Sequence, residues 1–356
     1  MITTKDIAER LELSISTVGR ALSNDPRIST ATTQRVHEAA AEMGYVANRA
    51  ARMMRGGTSN LVGLVLPDIR NGFFSTIAHA LSKCLEKGEF QLMLSETDDD
   101  RASELRHLRE LTSAHVAGII IVPSARPHPD AVRLLQMTPH IQLLRRHASL
   151  GEQWFGIDDA RALEDATRHL LQLGHRHIAY IGGPEELPTG AERLRGFRRA
   201  LAGAPAPAQG FEVLGAPGSD HFGRDAIRRV LDQRTPPTAL VMGSVRITYG
   251  VLEELLVRGV RVPDELSVIG FGDEPGFGWW GPGLTTIGLP ISELATACGL
   301  WFLYHHLQHK GQRPGGPYSA LSPATLVQRG STRALVPALT AADAEPKQPT
   351  RRAVAS

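Results

Sequence analysis

The sequence predicts two kinds of folded unit, a short all-α segment at the N-terminus and a larger α/β core. In residues 1–60 the apolar residues recur at helical spacing, and no strand pattern occurs. From Leu61 onward, short runs rich in valine and isoleucine alternate with amphipathic stretches, which is typical of parallel sheets covered by helices on both faces. These runs are too numerous for one compact sheet, so we expect two similar lobes.

The composition excludes several classes of protein. The 356 residues are 42% hydrophobic and 21% charged, which is typical of a chain with a large core and not of a disordered one. Only two cysteines occur, so a disulfide framework is excluded and a reducing compartment is favoured. The N-terminus is charged where a secretory signal would be apolar, and no apolar run approaches the roughly 20 residues of a membrane span. We therefore expect a cytoplasmic protein with no membrane partner.

Three helices are expected in the N-terminal unit. The first ends near Leu11. Ser14 is a suitable N-cap for a second helix, over about residues 15–22, because its hydroxyl can accept a hydrogen bond from a free backbone N–H. A third helix is expected over residues 30–43, and Gly44 ends it.

Positive charge is concentrated near the end of this unit. The whole chain has 39 basic and 37 acidic residues, whereas residues 45–58 contain three arginines and no acidic residue. Residues 48–55 have good helix formers but almost no amphipathic stripe, so a helix there should be marginal in water. A polyanion would suit this segment. On charge alone, however, an ordinary solvated helix face is the simpler interpretation.

The core is expected to begin with strands that alternate with helices, and the first two helices are predicted over residues 74–87 and 101–114. Residues 336–356 are rich in alanine, proline and threonine, so we expect a disordered tail, and they contain no leucine heptads. The predicted strands are Leu61–Leu66, Phe90–Ser95, Gly118–Val122, His140–Leu144, His177–Ile181, Thr238–Met242 and Leu266–Gly270.

The first two helices and their tight turn form a helix-turn-helix motif. The second helix of such a motif can enter the major groove of DNA. Val18 and Leu22 point inward on this helix, whereas Arg20 points outward and can read guanine through two hydrogen bonds. A small helical cap without DNA-binding activity is the alternative interpretation. The candidate DNA-binding residues of this unit are Thr3, Ile15, Ser16, Thr17 and Arg20, of which Thr17 suits a phosphate.

Longer motifs occur along the whole chain, beginning with the helix-turn-helix segment itself. They are, in order, TTKDIAERLELSISTVGRALS, LLQLGHRHIAYIGGP, ERLRGF, PPTALVMG, RGVRVPDELSVIGFGD and LTTIGLPISELA. Over roughly residues 3–333, the chain resembles the LacI/GalR family of bacterial transcriptional repressors. The resemblance implies a helix-turn-helix DNA-binding headpiece in residues 1–46, then a hinge helix and linker in residues 47–60. It also implies an effector-binding and dimerisation core in residues 61–335, with two Rossmann-like lobes of the periplasmic-binding-protein type.

The resemblance also assigns a role to residues 48–55. In the family this segment is a hinge helix, which folds when two copies pair over the centre of the operator and one side chain per copy enters the minor groove. Met54 is at the position of that side chain, where leucine is usual, and it is long enough to unstack a base step. Ala51 is small enough for a close approach of the two helices. The further DNA-binding candidates are Asn48, Arg49, Arg52 and Arg55, whose arginines can neutralise phosphates.

The carboxyl ends of the core strands predict a ligand cleft. Arg193 is at a position that commonly reaches the ligand in relatives, so the resemblance favours it most. The alternative for each arginine is a surface charge, and for each phenylalanine it is ordinary packing. The candidate effector-binding residues are Asp68, Asn71, Phe73, Phe74, Ser124, Arg145, Arg146, Asp158, Thr189, Arg193 and Asp273.

Further positions in the headpiece and in the core differ from the usual family pattern. Glu12 replaces a glycine in the turn of the headpiece, where a left-handed backbone would cost about 1 kcal/mol. Gly243–Ser244 replace an Asn-Asp pair, and Gly272 replaces the first acid of a GFDD pattern, so polar groups that hold sugar hydroxyls in relatives are missing. Together with the arginines above, this predicts a small carboxylate effector, such as a sugar acid or an aromatic acid. Nearby aromatic residues are Phe277, Trp279 and Trp280.

No motif of an enzyme is present: the chain has no nucleophile elbow, Walker loop or dinucleotide fingerprint, and we predict no cofactor and no metal. The predicted function is a non-enzymatic, effector-controlled repressor that binds a pseudopalindromic double-stranded DNA operator as a homodimer. One alternative is a cytoplasmic small-molecule-binding protein or enzyme with a non-functional headpiece. Residues 1–58 argue against it, because a plain solute-binding protein would lack them. Another is a tetrameric regulator, which the tail without heptads disfavours.

Overall fold

The computed structural model describes residues 2–23, 25–45, 59–216, 220–309 and 318–335. The chain divides into two compact units, Met1–Ser59 and Asn60–Ser356. The predicted hinge helix and the predicted disordered tail, together with all candidate residues between 48 and 55, lie outside the described residues. Among the described residues, no helix combines the length and the apolar character of a membrane span.

In its described part, the N-terminal unit consists of helices around a small apolar core. Ser14 caps the second helix as predicted, because its Oγ accepts a hydrogen bond from the backbone N–H of Thr17 at 3.0 Å. Ile7, Val18 and Val36, one from each helix, are completely buried and hold the three helices together. The helices are α1 (Thr4–Leu11), α2 (Ile15–Ala21) and α3 (Thr30–Glu42).

The turn between α1 and α2 is left-handed at a residue that is not glycine. Glu12, the C-cap of α1, has φ 54° and ψ 40°. In this region the Cβ of an L-residue lies too close to the following carbonyl oxygen, which costs roughly 1–2 kcal/mol. The turn of the helix-turn-helix therefore contains local strain that glycine would not have.

We expect Glu12→Gly to slow hydrogen exchange of the α1 and α2 amides in the full chain by roughly fivefold, since about 1 kcal/mol of strain is removed. Glu9→Gly is the matched control, because it places a glycine inside α1, where glycine lowers helix stability by about 1 kcal/mol. It should accelerate the same exchange. Equal or faster exchange in Glu12→Gly would show that the turn is not strained.

The core contains two lobes, each built on a six-stranded sheet. The chain forms most of the first lobe, then the second lobe, and then returns to both. The first part contains β1 (Leu61–Leu66), α4 (Gly72–Glu86), β2 (Gln91–Glu96), α5 (Arg101–Ser113), β3 (Gly118–Ile121), α6 (Pro129–Met137), β4 (His140–Leu143) and β5 (Trp154–Ile157). The second contains α7 (Asp159–Gln172), β6 (His177–Gly182), α8 (Pro188–Ala202), β7 (Gln209–Leu214), α9 (Asp220–Leu231), β8 (Ala239–Met242), α10 (Val245–Val257), β9 (Ser267–Phe271) and β10 (Thr285–Gly288).

The last elements connect the lobes again: α11 (Ile291–His309), β11 (Ser319–Ser322) and β12 (Thr325–Val327). The strand order is β11-β5-β4-β3-β1-β2 in the first sheet and β12-β10-β9-β8-β6-β7 in the second. Helix α11 packs against α4 in the first lobe, β11 lies parallel to β5, and β12 lies antiparallel to β10. The chain therefore passes between the lobes three times.

The two-lobed α/β architecture confirms the predicted fold class, and each predicted strand is present with its ends displaced by at most one residue. The central strands β1, β8 and β9 are buried almost throughout, as expected for strands with helices on both faces. Strands β5, β7, β10, β11 and β12 were not predicted. Their segments are short or contain polar residues and glycine, and pairing with distant strands holds them in the sheets.

Candidate functional site

The carboxyl ends of strands from both lobes of the core enclose a cavity of about 810 Å³, including its open mouth. This size is ordinary for a small-molecule site. Seven of the predicted effector-binding residues line it: Asp68, Asn71, Phe73, Phe74, Arg145, Thr189 and Arg193.

Arg193, on α8, is held rigidly in the second lobe. Its Nε donates to Oδ1 of Asp159 at 2.7 Å, and its Nη1 donates to the carbonyl oxygen of Gly243 at 2.8 Å. The guanidinium also lies over the ring of Phe271, 4.1 Å from the centroid. Burial raises the pKa of Asp159, and the charge of Arg193 opposes this effect. Neither hydrogen bond uses Nη2, so the two N–H groups of that nitrogen can serve a ligand.

Arg145, after β4, is held on the opposite lobe. It is only 7% exposed, and both of its Nη atoms donate to the carboxylate of Asp99. Its Nη1 also donates to the carbonyl oxygen of Pro123 at 3.2 Å. Asp99, which lines the cavity beside Arg145, was not predicted, although it follows β2 at the strand end where such residues are expected.

An ion pair joins the two lobes across the cavity. Nη2 of Arg246, at the start of α10, lies 2.8 Å from Oδ2 of Asp68, which follows β1 in the first lobe. Arg70 donates to the other oxygen of Asp68 at 2.8 Å. Burial acts to raise the pKa of Asp68, but the hydrogen bonds from Arg70 and the charges of both arginines outweigh it and keep the pKa below its usual value. Arg246 was not predicted; its position just after Ser244, which caps α10 at the end of β8, is the signal that could have identified it.

Two predicted effector residues of the first lobe do not line the cavity. Ser124 is buried, and its backbone N–H and hydroxyl both donate to the carboxylate of Glu104, at 2.7 and 3.0 Å. Arg146 forms an ion pair with Glu152 near the surface. Both groups are therefore satisfied by neighbours within their own lobe.

Asp158 and Asp273 also lie outside the cavity lining. Asp158 caps α7 by accepting a hydrogen bond from the backbone N–H of Arg161 at 3.0 Å. Asp273 accepts from Nη1 of Arg329 at 2.7 Å and from the hydroxyl of Thr286 at 2.8 Å. Each carboxylate thus has hydrogen-bond partners within the protein and needs no ligand to satisfy it.

The aromatic residues in the cavity are not the ones expected from the sequence. Phe277 is buried in the core of the second lobe, and Trp279 is 81% exposed. Neither of them, nor Trp280, lines the cavity. The aromatic side chains that do line it are Phe73, Phe74 and Phe271.

The headpiece presents one polar face of α2. Ile15 is 52% exposed, and Ser16 and Arg20 are exposed on the same side, whereas Val18 is completely buried. This is the orientation predicted for a recognition helix. Thr17 bonds to the hydroxyl of Ser14 at 2.8 Å, and Thr3 caps α1 in a capping box with Asp6. The hydroxyls of Thr3 and Thr17 thus lie at helix N-termini, where phosphates bind favourably.

Comparison with known proteins agrees with this arrangement. Residues 3–48 match the family described as bacterial regulatory proteins, lacI family, and residues 167–332 match a periplasmic binding protein-like domain. The transcriptional regulator DegA of Bacillus subtilis is 31% identical over 82% of this chain and 88% of its own length. The transcriptional repressor CytR of Escherichia coli K12 is 30% identical over 94% of this chain and 97% of its own length.

Solved structures show the same fold. The Lac repressor dimer bound to operator and the anti-inducer ONPF superposes with a TM-score of 0.79 at 24% identity, over 94% of this chain and 99% of that chain. A complex of the regulator CelR with cellobiose gives a TM-score of 0.68 at 24% identity, over 93% and 100%. The capped helix-turn-helix, the two-lobed core and relatives that match most of its length together show that this chain belongs to the LacI/GalR family of DNA-binding transcriptional regulators.

Proposed function

We propose that the protein is a repressor that binds a pseudopalindromic double-stranded DNA operator as a homodimer and responds to a small-molecule effector in the core cavity. One observation carries the proposal: the second helix of a helix-turn-helix, with Ser16 and Arg20 exposed, and an arginine-lined cavity occur in the same chain. The effector acts by changing how the two lobes pack. The ion pair between Asp68 and Arg246 must change whenever the lobes separate or rotate.

Operator binding is the direct test. Fragments of the promoters near the protein's own gene are titrated by fluorescence anisotropy, with random duplex as the reference, in the absence and presence of candidate metabolites. We expect a preference for one promoter and a shift of its affinity by the effector, with a coupling of roughly 1–3 kcal/mol. The direction of the shift distinguishes an inducer from a corepressor. No preference over random duplex under any condition would favour a binding protein with a non-functional headpiece.

A small carboxylate is the proposed effector class. Three arginines and two aspartates line the cavity, and Asp159, the partner of Arg193, lies behind the lining. The arginines are Arg145, Arg193 and Arg246, and charge-assisted hydrogen bonds from guanidinium to carboxylate are among the strongest in proteins. Calorimetry with matched pairs tests this: galacturonate against galactose, gluconate against glucose, and benzoate against benzyl alcohol. Tight binding of a neutral sugar without binding of any acid would overturn the proposal.

Exposed apolar side chains of the core support a homodimer. Met93 and Leu94, on the edge strand β2, are 40% and 43% exposed, Leu256 on α10 is 66% exposed, and Trp279 is 81% exposed. We propose that these four side chains lie in the dimer interface, because a contiguous exposed apolar surface marks a protein interface. In a C2 dimer the same surface of each copy is used, which would also place two headpieces on the two operator half-sites.

We expect Trp279→Glu to shift the full chain from dimer towards monomer and to weaken operator binding, because it buries an unpaired charge in the proposed interface. Sedimentation velocity over a concentration series measures the dimer dissociation constant. Met137→Glu is the control, since Met137 is 82% exposed on α6 and lies outside the proposed surface. A Trp279→Glu chain that dimerises as tightly as the control would place the interface elsewhere.

Met54, outside the described residues, is proposed as the side chain that enters the minor groove. We expect Met54→Ala to reduce operator bending, because alanine is too short to unstack a base step. Met54→Leu should retain the bend, since leucine is also long and apolar. A phasing assay on the operator measures the angle. The same bend in the alanine and leucine variants would remove this role from Met54.

A further inference from the structure

Leu144, which lies between β4 and Arg145, has a left-handed backbone. Its φ is 63°, in a region that a bulky side chain rarely adopts. The backbone N–H of Arg145 donates to the carbonyl oxygen of Leu143 at 2.7 Å, so Leu144 is the central residue of a γ-turn. With a positive φ, this is the rare and strained form of that turn. Strained backbone persists only where the surrounding contacts enforce it, and it is concentrated at functional sites such as ligand clamps.

Three contacts enforce the conformation of Leu144. Its side chain is only 7% exposed and packs in the apolar core of the first lobe. Its backbone N–H donates to the carbonyl oxygen of Phe155 in β5 at 2.6 Å. Its own carbonyl oxygen accepts a hydrogen bond from the indole N–H of Trp154 at 3.2 Å. The turn therefore cannot relax without the loss of a hydrogen bond or of core packing.

The indole of Trp154 reaches Leu144 because Gly156 has no side chain. The two residues are two positions apart in β5, so they share one face of the strand. A Cβ at Gly156 would overlap the ring, 2.5 Å from Cε2 and closer still to Cζ2. Continued by one residue, the register of β4 and β5 places Gly156 beside Leu144. The ring thus lies along β5 and brings its N–H to the γ-turn.

The γ-turn determines where Arg145 lies. Leu144 and Arg145 both line the cavity. The guanidinium is fixed from the other side by the carboxylate of Asp99 and the carbonyl oxygen of Pro123. Among the described residues, these bonds leave Nε and one N–H of Nη2 unused, so both can serve a ligand. Arg145 is therefore held between a strained turn and a carboxylate before any effector binds.

We propose that Leu144 and Trp154 are positioning residues of the effector site: the strained γ-turn at Leu144, held by the indole of Trp154, fixes the guanidinium of Arg145 at the cavity for a carboxylate of the effector. The inference rests on the proposed carboxylate effector and adds the device that orients one of its arginines. A guanidinium that is already fixed loses less entropy when the ligand binds. An acid benefits from this, whereas its neutral analogue forms no bond of carboxylate to guanidinium.

Melting temperatures of variants of the full chain test the strain without ligand. Leu144→Ala and Leu144→Gly both remove the buried side chain, but only glycine adopts a positive φ at no steric cost. Leu144→Gly should therefore melt roughly 2–4 °C above Leu144→Ala. Leu143→Ala and Leu143→Gly are the matched control, because Leu143 is completely buried within β4, where glycine weakens a strand. There the glycine variant should melt lower, and the same order at Leu144 would overturn the inference.

Calorimetry tests the positioning, with galacturonate, gluconate and benzoate and their neutral counterparts as probes. We expect Leu144→Gly, although it is the more stable variant, to bind the tightest acid about tenfold more weakly than Leu144→Ala, because its turn no longer fixes Arg145. A merely structural role would instead weaken binding in the less stable variant. Trp154→Phe, which keeps the leucine, should lower the affinity for the acid and leave the affinity for the neutral counterpart unchanged.

The outcomes separate this inference from the site on which it rests. Equal affinities of the two Leu144 variants, or an unaltered preference for the acid in Trp154→Phe, would overturn the positioning role while leaving the effector site intact. A wild-type chain that binds none of the probes would contradict the proposed effector class itself, and the positioning role would fall with it.

Discussion

Replacing Arg193 with alanine will abolish the effector response and leave operator recognition by the headpiece intact. Arg193 lines the cavity and is held there by Asp159, Gly243 and Phe271, with neither of its two hydrogen bonds on Nη2. The measurement is operator affinity by anisotropy with and without the effector. We expect the two titrations of the variant to coincide.

The same change carries a structural cost. Asp159 is 5% exposed, and removing its partner leaves a buried charge uncompensated, a situation that typically costs roughly 3–5 kcal/mol. The double variant Asp159→Asn with Arg193→Met removes both charges together and should keep more of the stability while still failing to respond. Arg195→Ala is the control, because Arg195 lies on the same helix and pairs only locally, with Glu192. A stable double variant with a normal response would move the ligand site elsewhere.

Replacing Arg20 with alanine will weaken specific operator binding by roughly 1–3 kcal/mol and relax one base position, because two hydrogen bonds to guanine are lost. Arg20 is exposed on α2, beside Ile15 and Ser16. Selection from a randomised operator library measures both affinity and base preference. Arg27→Ala is the control, since Arg27 is exposed but bonded to Asp25, with Nη2 2.7 Å from Oδ2. Unchanged base preference in Arg20→Ala would show that this arginine binds only the backbone of DNA.

The strands that could be predicted were those whose own residues show an apolar pattern. Runs such as Leu61–Leu66 and Ala239–Met242 are apolar throughout, as suits strands with both faces buried, so their composition alone marks them. Strand β7 has the sequence QGFEVL, in which glycine, glutamine and glutamate weaken the same signal. Strands β11 and β12 have only four and three residues. Their pairing partners are far away in sequence, and no local pattern encodes them.

Site residues were likewise predictable where their position along the chain was enough, and not where a contact with a distant element decides their role. Strand ends and the family resemblance identified Arg193 and Asn71, which do line the cavity. The same rule nominated Ser124, but the carboxylate of Glu104, on a different element, satisfies its hydroxyl. Arg246 was missed because its importance comes from Asp68 in the other lobe, a contact that exists only after both lobes have folded. The sequence shows that a polar residue lies at a strand end. It does not show which neighbouring side chain will form a hydrogen bond with that residue in the folded protein.

The late strands β11 and β12 have a consequence for synthesis. Each is an edge strand, one in each sheet, so neither lobe can be completed until residues 319–327 have emerged from the ribosome. Until then, β5 and β10 expose unpaired backbone edges, which are templates for aggregation. A nonsense mutation or proteolytic cut just before Ser319 would therefore leave both lobes without an edge strand at once.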